Sequence, residues 1–138
     1  MLKFISITTI LLTLTACATT AVPQTPSSRL LAFQEPTDKT RSSIIVNRDN
    51  GFLGGGCFYG VEINGKLAAR LDVGEQARFY VEPGQIKLRA ARDPLGIGLC
   101  ALGGHVWVTR EFEIKPNEVR FFRISLSLGE VNLSRADP

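Results

Sequence analysis

Residues 59–71 read Tyr59-Gly60-Val61-Glu62-Ile63-Asn64-Gly65-Lys66-Leu67-Ala68-Ala69-Arg70-Leu71. Tyr59, Val61 and Ile63 alternate with non-apolar positions, then Asn-Gly intervenes, then Leu67, Ala69 and Leu71 alternate again. A two-residue type I′ turn needs positive φ at both central positions, which Asn-Gly adopts at the least steric cost. Period-two alternation on both sides of such a turn specifies a β-hairpin with one buried face.

The same pattern extends in both directions. Upstream, Ile44-Ile45-Val46 opens a first strand, ended by the polar run Asn47 to Gly51. Downstream, Ala77, Phe79 and Val81 alternate until Glu82-Pro83-Gly84, and Ile86, Leu88 and Ala90 continue beyond that turn. Val106, Val108, Phe112 and Ile114 share a phase, as do Phe122, Ile124, Leu126 and Leu128; a short run from Val131 to Leu133 ends the chain. Arg110 falls in the apolar phase of its strand, which an edge position or a bulge accommodates. No window of helical length keeps a three-to-four spacing of apolar residues. The expected fold class is all-β, a compact antiparallel sandwich of about seven to eight strands.

Val61-Glu62-Ile63-Asn64-Gly65, a second short strand, then Val81-Glu82-Pro83-Gly84 with Ile86 and Leu88, resembles the small PEGA-type β-domains of uncharacterised lipoproteins. Lys115-Pro116-Asn117-Glu118 before Phe121 and Phe122 resembles their turn into an aromatic strand, although the PEGA tetrapeptide is lacking. The resemblance spans residues 43–133 and implies a surface-exposed β-module without catalytic residues.

The N-terminus supplies an address. Lys3 precedes the uncharged stretch from Phe4 to Thr15, with Ile5, Ile7, Ile10, Leu11, Leu12 and Leu14 as its apolar body. That is the layout of a secretory signal, too short for the ~20 residues of a spanning helix. Leu14-Thr15-Ala16-Cys17 then resembles the bacterial lipobox. The resemblance implies cleavage before Cys17 and acylation of its thiol, and two or more acyl chains give stable membrane anchoring. Ala18 after the cysteine resembles the signal for the outer membrane, facing the periplasm, if the source is Gram-negative. The expected organisation is a lipoprotein signal peptide over 1–16, a lipidated N-terminus and flexible tether over 17–40, and a β-sandwich over 41–138. Pro23, Pro26 and Pro36 give the tether extended character. Leu30-Leu31-Ala32-Phe33 interrupts it as an apolar island, to be packed on the domain or bound by a partner.

Composition excludes several classes. The formal net charge is +3 and the loss of Lys3 leaves +2, with no basic run, so no nucleic-acid footprint is present. Cys57 and Cys100 are the two cysteines not used for lipid, and in an exported domain such a pair reads as a disulfide. The glycines around each cysteine lack the strand-to-helix context of a phosphate loop, so no cofactor site is expected. His105 is the only histidine, and it cannot build a zinc site with a disulfide pair. A Cys57/His105 nucleophilic pair requires a free thiolate, which oxidation removes. Asp72 and Glu75 read as a solvated turn.

The expectation is therefore a non-enzymatic, membrane-anchored lipoprotein module that binds another component of the cell envelope, with no metal and no cofactor. Phe52, Phe58 and Trp107, beside the two glycine-rich loops, form the candidate interaction surface. The alternatives are a structural subunit of an envelope machine such as a secretion or conjugation apparatus, and an envelope enzyme.

Overall fold

A computed structural model describes residues 21–51, 56–102 and 104–138. Eight strands form two four-stranded sheets: β1 (Ser42–Arg48), β2 (Tyr59–Ile63), β3 (Lys66–Leu71), β4 (Gln76–Val81), β5 (Gly84–Arg92), β6 (Val108–Ile114), β7 (Val119–Ser127) and β8 (Glu130–Ala136). One sheet has the order β4-β1-β7-β8, the other β3-β2-β5-β6. The chain is an all-β sandwich, as the alternation requires.

Successive strands reverse direction, so odd-numbered strands run one way and even-numbered strands the other. Every neighbouring pair but one joins an odd strand to an even strand and is antiparallel. The exception is β1 with β7, which pairs in parallel from Ser43↔Val119 to Arg48↔Ile124. The expected antiparallel sandwich is present, and this one pair departs from it. The turn from Lys115 to Glu118 carries the chain across to the other sheet, and β7 arrives beside β1 already pointing the same way.

The central hairpin forms as its sequence dictates, with Asn64 at φ 50° and Gly65 at φ 82°. The Asn64 side-chain Oδ1 and backbone N–H clasp Lys87 of β5, each at 2.9 Å, which ties the turn to its sheet. Between Val61 and Glu62 the register slips, so Ala68 has no partner on β2. That bulge buries both Ala68 and Ala69 and leaves Leu67 half-buried, breaking the expected Leu67–Ala69–Leu71 phase. The Ala68 carbonyl instead accepts the N–H groups of Leu31 at 2.8 Å and Ala32 at 3.2 Å.

Those two bonds belong to a strap. From Gln24 on, the stretch expected as a flexible tether is docked: Gln24 bridges Gln76, Leu30 bridges Ala69, and the Phe33 carbonyl accepts the Tyr80 N–H. Thr25 and Ala32 are buried. The strap runs along the side where the edge strands β3 and β4 lie together, and it satisfies backbone groups an open edge would expose. On the opposite side the edges β6 and β8 carry exposed Arg110, Glu111, Glu113, Glu130 and Arg135. Arg110 thus occupies an edge, and charges there discourage strand addition.

The core between the sheets contains Ile44, Val46, Tyr59, Val61, Ile63, Phe79, Leu88, Ile114, Ile124 and Leu133, among others. Besides Leu67, two residues expected in its phase lie outside it. Val106 precedes the first rung of β6, Ala90↔Val108, and Leu128 sits in the β7–β8 turn at φ 51°. A leucine in the left-handed region carries a Cβ–carbonyl clash, which Asn shares but offsets with the local hydrogen bonds of its short polar side chain. Leu128→Asn is expected to raise stability by roughly 0.5–1 kcal/mol in urea denaturation, part of the ~1–2 kcal/mol that this backbone conformation costs. An unchanged or lower midpoint would show that the turn holds Leu128 without strain.

Candidate functional site

At one end of the sandwich lie the β1–β2, β3–β4, β5–β6 and β7–β8 connections. The strap also begins there, since Gln24 pairs with the first residue of β4 and Val22 lines a cleft with Asn50 and Arg123. This loop end is built on three arginines.

Arg48, the last residue of β1, is buried with its guanidinium 4.3 Å from the Tyr59 ring centre. It donates to the carbonyls of Cys57 at 2.7 Å and Leu71 at 3.0 Å, and burial pushes its pKa down while Tyr59, Asp72 and Glu75 oppose that. Arg29 of the strap forms a two-pronged pair with Glu75, at 2.7 and 2.5 Å, and donates to the Arg70 carbonyl at 3.0 Å. Arg70 of β3 holds Asp93 through Nε at 3.0 Å to both carboxylate oxygens. Asp93 is 1% exposed, and its Oδ1 also accepts the Leu95 N–H at 3.0 Å, so the pair fixes the start of the β5–β6 loop.

The guanidiniums of Arg29 and Arg70 both lie over the Phe58 ring, at 4.5 and 5.0 Å from its centre. Trp107 is half-buried under Arg89 at 4.6 Å. Of the aromatic surface expected from the sequence, these two are therefore packed against arginines. Phe52 and Cys17 lie outside the described residues. Gly60 makes the close approach possible: a Cβ there would stand 2.6 Å from Pro94 Cδ, so only glycine lets the loop seat on β2.

Cys57 and Cys100 are bonded, with Cα atoms 5.5 Å apart, and the bond staples the β1–β2 loop to the β5–β6 loop. The loop also closes on itself: Gly96 N–H bonds Asp93 O, Cys100 N–H bonds Ile97 O, and Arg92 donates to Leu102 O at 3.0 Å. His105 Nδ1 lies 3.2 Å from the Arg92 carbonyl, away from any free thiolate, because Cys57 is oxidised. The side chains exposed on this loop are instead Leu95, Ile97, Leu99, Leu102 and Val106. Sequence reasoning named the aromatics and passed over these aliphatics, although the uncharged run from Pro94 to Thr109 was the available signal.

A cleft of about 410 Å³ opens where the two sheets part at β6 and β8, lined by Tyr59, Arg92, Val106, Val108, Glu130 and Val131 among others. Among the described residues, no group of three His, Cys, Asp or Glu side chains gathers to hold a metal ion. Among them, too, no helix is long and apolar enough to cross a membrane.

Glu75 corrects the reading of a solvated turn, for it is buried against Arg29. Its partner stands 46 positions away, beyond the reach of local pattern. Burial pushes the Glu75 carboxyl up, but the Arg29 hydrogen bonds and the Asp72 N–H outweigh it and hold it below the usual carboxylate range. A carboxyl with a depressed folded pKa adds stability above its unfolded pKa of about 4.3 and loses it as pH falls through the folded value. Melting temperature is therefore expected to drop more steeply below about pH 4 in the wild type than in Glu75→Gln. Parallel acid profiles for the two proteins would refute this coupling.

Compared with protein-family models, with curated proteins and with solved structures, the chain finds no match in any of the three.

Proposed function

We propose that this chain is a membrane-anchored lipoprotein of the cell envelope, whose non-catalytic β-sandwich engages another envelope component with its loop end. The observation that carries the reading is the Cys57–Cys100 bond at the end of the domain from which the N-terminal chain leaves toward Cys17. A disulfide is at home in an exported protein, which agrees with the signal-like segment and the lipobox resemblance of Leu14 to Cys17. The non-catalytic reading draws support from the occupied chemistry of the site. Both cysteines of the domain are bonded to each other, and the arginines and buried carboxylates pair among themselves.

Two measurements test it. Mass spectrometry of protein purified from cell envelopes is expected to find a mature chain that begins at Cys17 and carries acyl mass. A photoreactive residue in place of Leu99, which is exposed, is expected to capture an envelope component in intact cells. A mature chain without acyl mass would overturn the anchor, and the absence of any adduct, protein or lipid, would overturn the engagement.

A further inference from the structure

Nine large apolar side chains are exposed among the described residues, and seven of them stand at the loop end. Five belong to one loop: Leu95, Ile97, Leu99, Leu102 and Val106; Leu128 stands on the neighbouring turn, and Val22 is in the departing N-terminal chain. Ile97 is 86% exposed, Leu99 81% and Leu128 97%. We propose that this end of the domain docks on the lipid bilayer itself, with the β5–β6 loop entering the boundary between headgroups and acyl chains. The proposal rests on the anchored reading above and names the component that the loop end meets.

Three observations favour lipid over protein. The first is reach. Gln24 is the first paired residue of the strap, seven positions after Cys17, and seven residues extend at most ~25 Å. An acyl chain on Cys17 therefore holds the loop end, and not the opposite end, close to the membrane surface.

The second is charge. From Pro94 to Thr109 the chain carries no Lys, Arg, Asp or Glu, as a segment entering hydrocarbon requires, because a buried ionised side chain is costly there. Arg92 and Asp93 stand at the base of the loop, where a headgroup layer accommodates charge. Trp107 stands at the other base, the level at which amphipathic rings collect in membrane proteins.

The third is backbone satisfaction. A polar backbone in lipid must find its partners internally. The loop folds into a short 3-10 turn, Gly98–Ala101, and its N–H groups at Leu95, Gly96, Cys100 and Leu102 all bond within the protein. The disulfide and the Arg70–Asp93 pair hold the apolar side chains outward, so little ordering cost remains on docking.

Trp107 is the only tryptophan of the chain and serves as the probe. The lipidated protein, purified from envelopes, is reconstituted into phosphatidylcholine vesicles whose acyl chains carry bromine near the headgroup. Trp107 emission is expected to be quenched relative to unbrominated vesicles. The variant Ile97→Asp/Leu99→Asp is expected to lose most of that quenching. Its melting temperature is expected to stay unchanged, because both side chains are exposed. Equal emission in the two kinds of vesicle, or quenching indifferent to the two aspartates, would overturn the docking, as would photo-crosslinking from position 99 that captures only protein. The same sample is weighed for acyl mass on Cys17. Acyl mass without quenching refutes the docking and leaves the anchor standing. Quenching without acyl mass refutes the anchor and leaves the docking supported.

Discussion

Replacing Cys57 and Cys100 together by alanine is expected to lower the stability of the domain by about 4 kcal/mol, because the bond closes a loop of 43 positions in the unfolded chain. The chain-entropy argument concerns the denatured state: once the link is cut, the unfolded ensemble regains the freedom that loop closure withheld. For a domain near 100 residues each kcal/mol moves the melting temperature by roughly 4–8 °C, so a drop on the order of 15–30 °C is expected. The double variant is the right comparison, since a single exchange leaves a free thiol. Urea denaturation of the oxidised wild type and the double variant measures the difference directly. A loss below about 1 kcal/mol would mean that the unfolded chain is compact enough to hold these two loops together without the bond.

Arg70→Met is expected to cost about 3–5 kcal/mol, as removal of one partner from a buried ion pair does. Asp93 keeps 2% of its side-chain surface, so the loss of Arg70 leaves a carboxylate with neither water nor counter-charge. The variant also removes one of the two guanidiniums that cover Phe58. Arg70→Met/Asp93→Leu is expected to recover much of the loss, since two apolar side chains of similar volume replace a buried pair at little net cost. Urea midpoints of the single and double variants check both statements. A single variant within about 1 kcal/mol of wild type, or a double variant no better than the single, would sink the account. The Asp93 carboxylate also holds the Leu95 N–H, so hydrogen exchange in the β5–β6 loop is expected to quicken in Arg70→Met.

These two contacts matter beyond stability, because they set the posture of the loop end. The strap contributes to the same posture: Arg29 fixes it to Glu75 at the β3–β4 turn, next to the place where the chain departs toward Cys17. Every element that orients the apolar loop is thus tied to the same end of the sandwich as the proposed anchor.

The sequence alone determined the features that depend on neighbours a few residues apart. Asn64-Gly65 fixes its own turn through positive φ, and period-two alternation assigns Phe79, Leu88 and Ile124 to the core. Apart from Cys17 the chain has two cysteines, so their pairing with each other needed no register. Tertiary structure decided everything that depends on where a strand finds its partner. The parallel joining of β1 and β7 follows from a crossover between sheets that no local motif encodes. The bulge at Ala68 turned a carbonyl outward, and that carbonyl converted an expected tether into a strap. Arg29 with Glu75 and Arg70 with Asp93 join residues that the sequence places 46 and 23 positions apart. Val106 and Leu128 keep the apolar phase of their strands yet lie exposed, because alternation records which face a side chain shares with its neighbours but not where the hydrogen-bonded ladder stops.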